Sequence, residues 1–233
     1  MNARCEIVLA IDASRNRSGG AINHLYELIK HLKPYQKGFK SIHLWSYKSL
    51  LLKLPDYPWL HKHSHNLLEK NIFFQVYWQK MILKDEFKKY KCDIILNTDA
   101  GSISNIKPSI TMSRDMLSYE KGEIERFKLS LKALRLLCLR YIQNYSLKNS
   151  NGAIFLTKYA SSKIQKSSGK IKNFMFIPHG LDEKFHNIKI KEKWPQENEK
   201  IKIIYVSNAA LYKHQWNVIE AVSRLKSNLR NKF

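Results

Sequence analysis

The chain has 233 residues, with 41 Lys and Arg against 19 Asp and Glu, for a formal charge of +22. Its 44% hydrophobic and 12% aromatic content is enough for a packed core, which excludes a disordered basic tail, and its length suits one complete domain better than two. Three scattered cysteines, Cys5, Cys92 and Cys138, with no CxxC pair, exclude a disulfide framework and a zinc ribbon and fit a reducing, cytoplasmic setting.

The unbroken apolar run from Ile7 to Ile11, closed by Asp12, predicts a strand buried on both faces, as in a parallel sheet, and is too short for a secretory segment. A loop ending in Ser18-Gly19-Gly20 follows, and then Leu25, Leu28, Ile29 and Leu32 line one face of a helix that Pro34 stops. Residues 39–45 read as a second strand, 71–90 as a helix carrying Phe74, Tyr77, Trp78, Met81 and Ile82, and 92–97 and 109–113 as further strands. Residues 123–149 predict the longest helix. A strand at 152–157, a helix at 159–166 and a strand at 173–178 continue the alternation. No stretch approaches the roughly 18 consecutive apolar residues of a membrane span. Residues 183–200 read as a charged linker, 201–206 as a strand and 216–225 as a helix. The expectation is an α/β protein: a Rossmann-like parallel sheet flanked by helices over 1–182, a linker over 183–200, and over 201–233 the first βα unit of an incomplete second Rossmann-like domain.

Ligands of an open parallel sheet bind outside the carboxyl ends of its strands, so the residues just after each strand carry the information. They are polar: Asp12, Arg15 and Arg17; Asn97, Thr98, Asp99 and Gly101; Arg114 and Asp115; Thr157 and Lys158; His179 to Asp182. Gly19-Gly20 opening a helix lets backbone N–H groups approach an anion, or simply makes a tight turn. The spacing is not G-x-G-x-x-G, which counts against a dehydrogenase. His61, His63 and His65 would share one side of a strand and could hold a metal, but no carboxylate or cysteine accompanies them, and a polar surface strand explains them as well. Leu129 to Arg140 mixes leucines with three cations. That suits a basic helix lying on an anionic membrane surface or, as the plainer reading, a core helix with snorkelling Lys and Arg. No G-x-S-x-G elbow is present. Lysines spread through the chain without a block suit a solvated surface better than a dedicated nucleic-acid arm.

Five strand-end motifs, in order, resemble family 4 glycosyltransferases of the GT-B type, the retaining class that uses nucleotide-activated sugars. They are Ile11-Asp12-Ala13-Ser14-Arg15 with Ser18-Gly19-Gly20; Thr111 to Leu117 with Glu120; Ile154-Phe155-Leu156-Thr157-Lys158-Tyr159-Ala160; Ile177-Pro178-His179-Gly180-Leu181-Asp182; and Tyr205-Val206-Ser207 with Tyr212-Lys213-His214-Gln215. The resemblance implies a catalytic position at Arg114 and Asp115, and donor contacts at Gly19, Gly20 and Lys213. It puts Asp12, Arg15, Asp99, Glu120 and His179 on the acceptor side. It implies no metal and no cofactor beyond the nucleotide sugar, which is a substrate, and a glycan or lipid-linked acceptor, with peripheral contact to an anionic membrane and no specific nucleic acid. The chain departs from the family pattern in Ser207-Asn208, where a Gly-Arg pair is common, and in Arg114-Asp115, where His-Asp is common. The family's paired-glutamate donor segment is not found, so the expectation is a truncated, weakly active or inactive transferase. The alternative is a non-catalytic basic α/β module that binds polyanions.

Overall fold

The computed structural model describes residues 6–17, 19–181, 185 and 201–225, divided between two compact units, Met1–His179 and Gly180–Phe233. The first unit is built on seven parallel strands: β1 (Ile7–Asp12), β2 (Phe39–Trp45), β3 (Leu60–His63), β4 (Ile94–Asn97), β5 (Ser109–Ser113), β6 (Gly152–Phe155) and β7 (Phe174–Phe176). Their order is β3-β2-β1-β4-β5-β6-β7, and every neighbouring pair is parallel. The helices are α1 (Gly19–His31), α2 (Lys48–Leu51), α3 (Ile72–Met81), α4 (Leu83–Lys89), α5 (Leu131–Asn149) and α6 (Lys158–Ser168). This is an α/β Rossmann-like fold.

The chain leaves β1 toward one edge of the sheet and returns past β1 to β4 before running to the other edge. With right-handed crossovers, α1 and α2 cover one face and α3 to α6 the other. The direction reverses between β1 and β4, so a crevice opens there at the carboxyl ends of the strands. Ala10, Ile11, Ile42, Leu44 and Ile95 at the sheet centre are fully buried against Leu25 and Ile29 of α1 and Trp78 of α3. A smaller core under α5 and α6 joins Leu147, Phe155 and Ile164.

Several boundaries differ from the sequence reading. The helix over 71–90 is broken at Ile82, whose φ of −109° departs from helical geometry; the break brings Trp78 at the end of one segment and Leu83 at the start of the next both into the core. The helix over 123–149 starts only at Leu131, where the Ser130 side chain accepts from Ala133 N–H, and short 3-10 turns precede it. The strand over 173–178 contracts to Phe174–Phe176 at the sheet edge. Thr157 ends no strand; it caps α6 by accepting from Ala160 N–H.

The core reading of 129–140 holds for one side of α5 only. Ala133 and Leu136 are buried, while Leu129 and Leu131 stand out at 106% and 86% exposure. The histidine trio also divides. His61 and His63 lie in β3, but His65 has left the strand and accepts Leu67 N–H at 3.1 Å. His43 from β2 takes its place: its Nδ1 is 2.9 Å from His63 Nε2, and its ring centroid is 4.6 Å from that of His61. Such a bond needs one ring to donate and the other to accept, so at least the accepting ring is neutral. Among the described residues no group of His, Cys, Asp or Glu has the geometry of a metal site.

The His43–His63 pair has a consequence for stability. Burial, then the neighbouring imidazoles, lowers both His43 and His63 from 6.5 to about 4. The unfolded chain takes up protons near pH 6.5, and the folded chain only near 4. Stability present above pH 6.5 is therefore lost as pH falls through that window. Each ring contributes on the order of 1 kcal/mol once solvent screening of these part-buried groups is allowed for. Thermal melts between pH 7 and 4.5 should show the midpoint falling with pH. His63→Gln should flatten that slope, and equal slopes for the two proteins would contradict the assignment.

In the second unit, α7 (Gln215–Ser223) forms where a helix was expected, preceded by a 3-10 turn at Leu211–Lys213. Residues 201–206 are not a strand: among the described residues they have no ladder partner, and an extended segment becomes a strand only by pairing. The linker expected over 183–200 lies outside the described residues, apart from Phe185.

Candidate functional site

The crevice at the β1/β4 switch point is floored by polar side chains that the strand ends deliver together. Asp12, the last residue of β1, is 3% exposed. Its Oδ1 accepts from Ser14 N–H at 3.1 Å and Ser14 Oγ at 2.6 Å, and its Oδ2 from Gln79 Nε2 at 2.6 Å and Ser102 Oγ at 3.4 Å. Burial raises its carboxyl above the ordinary carboxylate value, and the bonds from Ser14 and Gln79 and the charge of Arg15 hold that rise back. Asp12 thus lies beneath the crevice and ties β1, α3 and the loop after β4 into one rigid floor.

Asn16 is the hub above it. Its Oδ1 accepts from Thr98 Oγ1 at 2.9 Å and from Arg114 Nη2 at 2.6 Å, and its backbone carbonyl accepts from Tyr47 OH at 2.9 Å. Thr98 Oγ1 also lies 2.8 Å from the Asp12 carbonyl, so its single proton is shared between the two acceptors. Asp99 lies 3.8 Å from both Arg15 and Arg114 and accepts Gly101 N–H at 2.7 Å. Gly101 has no room for a side chain: a Cβ there would fall 2.8 Å from Asp99 Oδ1 and 3.1 Å from Arg15 Cζ.

Arg114, just after β5, is the unusual member. Its side chain is only 10% exposed, yet among the described residues its Nε and Nη1 have no hydrogen-bond partner. Burial pulls its guanidinium below the ordinary value, and Asp99 only partly opposes this. A buried cation with two unused donors is costly unless an anion completes it. The positive field extends to His24 in the second turn of α1, whose ring meets that of His179 edge to face at 4.7 Å. His24 is lowered to about 4 by burial first, then by His179 and Arg114. At the start of α1, a Cβ on Gly19 or Gly20 would meet nothing within 4 Å among the described residues.

The structure therefore brings together Asp12, Arg15, Asp99 and Arg114 of the residues expected from sequence, while His179 meets His24 of α1. Asp115 and Glu120 do not join them. Asp115 is exposed and accepts Leu117 N–H at 2.9 Å, and Glu120 accepts from Tyr159 OH at 2.9 Å. Lys213 belongs to the second unit, where its Nζ lies 5.2 Å from the Tyr212 ring centroid and its carbonyl accepts from Tyr205 OH.

Sequence reasoning missed Asn16, His24 and Gln79. Gln79 left a signal, since Gln75 and Gln79 fall four residues apart on the helix face that carries Trp78 and both are buried. A polar pair on an apolar face points to a buried partner. Asn16, in a loop of many polar residues, left none.

No family model matches the sequence, and no curated protein matches it. Solved structures do. A sucrose-phosphate synthase from Thermosynechococcus elongatus is 13% identical over 76% of this chain and 49% of that one, with a TM-score of 0.55. A second structure of that synthase is 11% identical over 75% of this chain and 90% of that one, with a TM-score of 0.48. TubZ from Clostridium botulinum phage c-st is 12% identical over 71% and 57%, with a TM-score of 0.35. The first of these is a likeness of fold, and the chain spans about half, 49%, of that synthase's length.

Proposed function

We propose that this chain carries the acceptor-side Rossmann-like unit of a GT-B glycosyltransferase of the retaining, family 4 type, acting on a nucleotide sugar and a hydroxyl acceptor. The observation that carries the reading is Arg114: a nine-tenths buried guanidinium at the switch-point crevice, with two donors that have no partner among the described residues. Glycosyl transfer from a nucleotide sugar releases a diphosphate, and preset cations and backbone N–H groups stabilise the charge that develops as the bond opens. Arg15 and His179 would orient the acceptor, with Asp99 holding the arginines and Asp12 bracing the floor beneath them. Lys213 is assigned to the donor phosphates by the sequence resemblance. The fold likeness to an enzyme named for its product, sucrose phosphate, supports the same reading.

Calorimetric titration of UDP- and GDP-sugars and of the free diphosphates, followed by an assay for diphosphate release, tests it. Saturable binding with diphosphate competing is expected. The formal charge of +22 favours a second reading, a non-catalytic module for polyanions. Under that reading RNA would bind tightly, with steep salt dependence, while no nucleotide sugar bound at all.

A further inference from the structure

A cavity of about 350 Å³, apart from the crevice, lies between the β2–β3 edge of the sheet and helices α3 and α4. Strand register explains its walls. Trp45 of β2 pairs with His63 of β3, so both rings stand on the face that α3 and α4 cover. The His63 ring centroid lies 4.9 Å from that of Trp45 and 4.3 Å from that of Tyr90, which makes one aromatic wall, and Trp78 of α3 adds a fourth ring. Trp45 and Trp78 are 1% and 0% exposed, and among the described residues neither indole N–H has an acceptor. Buried donors in folded proteins are nearly always satisfied, so two unsatisfied ones on a single cavity point to a guest that brings acceptors.

The polar rim narrows the guest's chemistry. His65 accepts Leu67 N–H on Nδ1, which leaves the ring proton on Nε2 as a further donor. The charged residues on the cavity are Lys62 and Lys89 against Glu86. Lys62 is committed to Asp56 at 2.6 Å and to the Leu54 carbonyl at 2.7 Å. Lys89 lies 3.8 Å from Glu86, beyond hydrogen-bond reach, and stays available. Donors therefore outnumber acceptors beside a flat aromatic wall. Such a wall takes a planar ring by offset stacking, and an ammonium with N–H donors takes a carboxylate. The volume falls at the lower end of the roughly 300–1,000 Å³ of small-molecule sites, which suits one ring system rather than a nucleotide sugar. We propose that this cavity binds a small aromatic carboxylate, its ring against Trp45, His63 and Tyr90 and its carboxylate on Lys89 and His65. The site is separate from the crevice and does not depend on the transferase reading.

Nitrogen-edited magnetic resonance spectra of the full chain, recorded as benzoate or indole-3-carboxylate is added, read the cavity through the tryptophan indole N–H signals. Those of Trp45 and Trp78 should shift and saturate at one dissociation constant, while those of Trp59 and Trp216, which do not line the cavity, stay in place. Benzyl alcohol, acetate and glucose supply the ring, the charge and the hydroxyls separately. Each should bind at least about tenfold more weakly than the carboxylates, as loss of a charge-assisted bond or a stacked ring implies. Lys89→Gln should weaken binding of both carboxylates about tenfold with the melting temperature unchanged, since its side chain is 63% exposed. Lys88→Gln, a neighbouring surface change, and Arg114→Met, in the crevice, should leave that binding as it was. The proposal is overturned if neither carboxylate moves the Trp45 and Trp78 signals, or if an uncharged or ringless probe binds as tightly as benzoate. It is equally overturned if Lys88→Gln weakens binding as much as Lys89→Gln, or if Arg114→Met abolishes it.

Discussion

Arg114→Met is expected to remove nucleotide-sugar binding by a hundredfold or more while leaving the protein as stable as before, or slightly more so. The two effects separate because the arginine is poorly used within the fold. It makes one hydrogen bond, to Asn16 Oδ1, and that oxygen keeps Thr98 Oγ1 as a donor when the arginine is gone. Its approach to Asp99 is 3.8 Å, too long for a hydrogen bond, and Asp99 retains Arg15 and Gly101 N–H. Methionine keeps much of the stem and removes the buried charge, so the folded state loses little packing and sheds a desolvation cost. A purely structural arginine would behave in the opposite way, lowering the melting temperature and leaving affinity alone. Calorimetric binding and thermal melts on the same preparation distinguish the two.

Asp12→Ala should have the largest effect on stability among substitutions at the crevice. The carboxylate accepts from Ser14, Gln79 and Ser102 in a buried site, and its loss leaves Gln79 Nε2 with only Ser14 Oγ at 3.1 Å, Ser102 with only Ser104 Oγ at 3.4 Å, and the Ser14 donors without their acceptor. Stranded buried donors of this kind cost about 3 kcal/mol together, which for a chain of this size is a fall of roughly 6–12 °C in melting temperature. Asp12→Asn should fall between the two, since its amide oxygen can still accept from one neighbour while its nitrogen faces another donor. A melting temperature within a degree or so of the parent for Asp12→Ala would show that the floor of the crevice is not held this way.

The sheet was legible from sequence because its central strands are uninterrupted apolar runs: Ile7 to Ile11 and Ile94 to Leu96 read as strands buried on both faces, and they are the neighbours that flank the switch point. Polar residues at strand ends were legible for the same reason, and Asp12, Asp99 and Arg114 converge because parallel strands end on one edge. What was not legible depends on partners distant in the chain. Residues 201–206 have the composition of a strand, but a ladder needs a neighbour. His65 has the spacing of its fellow histidines, but β3 ends at His63, and the residue that completes the cluster, His43, comes from the adjoining strand. The two apolar sides of α5 could not be told apart by periodicity, because leucines occur on both and only packing decides which is covered.

In the function proposed, the crevice between β1 and β4 receives the anionic part of a nucleotide sugar on Arg114 and the first turn of α1. A titration followed by nuclear magnetic resonance, observing the Arg114 Nε–H and the Gly19 and Gly20 amides as a UDP- or GDP-sugar is added, addresses it directly. These three signals should move together and saturate at one dissociation constant, with the side-chain signal moving furthest. An Arg114 Nε–H that stays in place while surface lysines respond would contradict it.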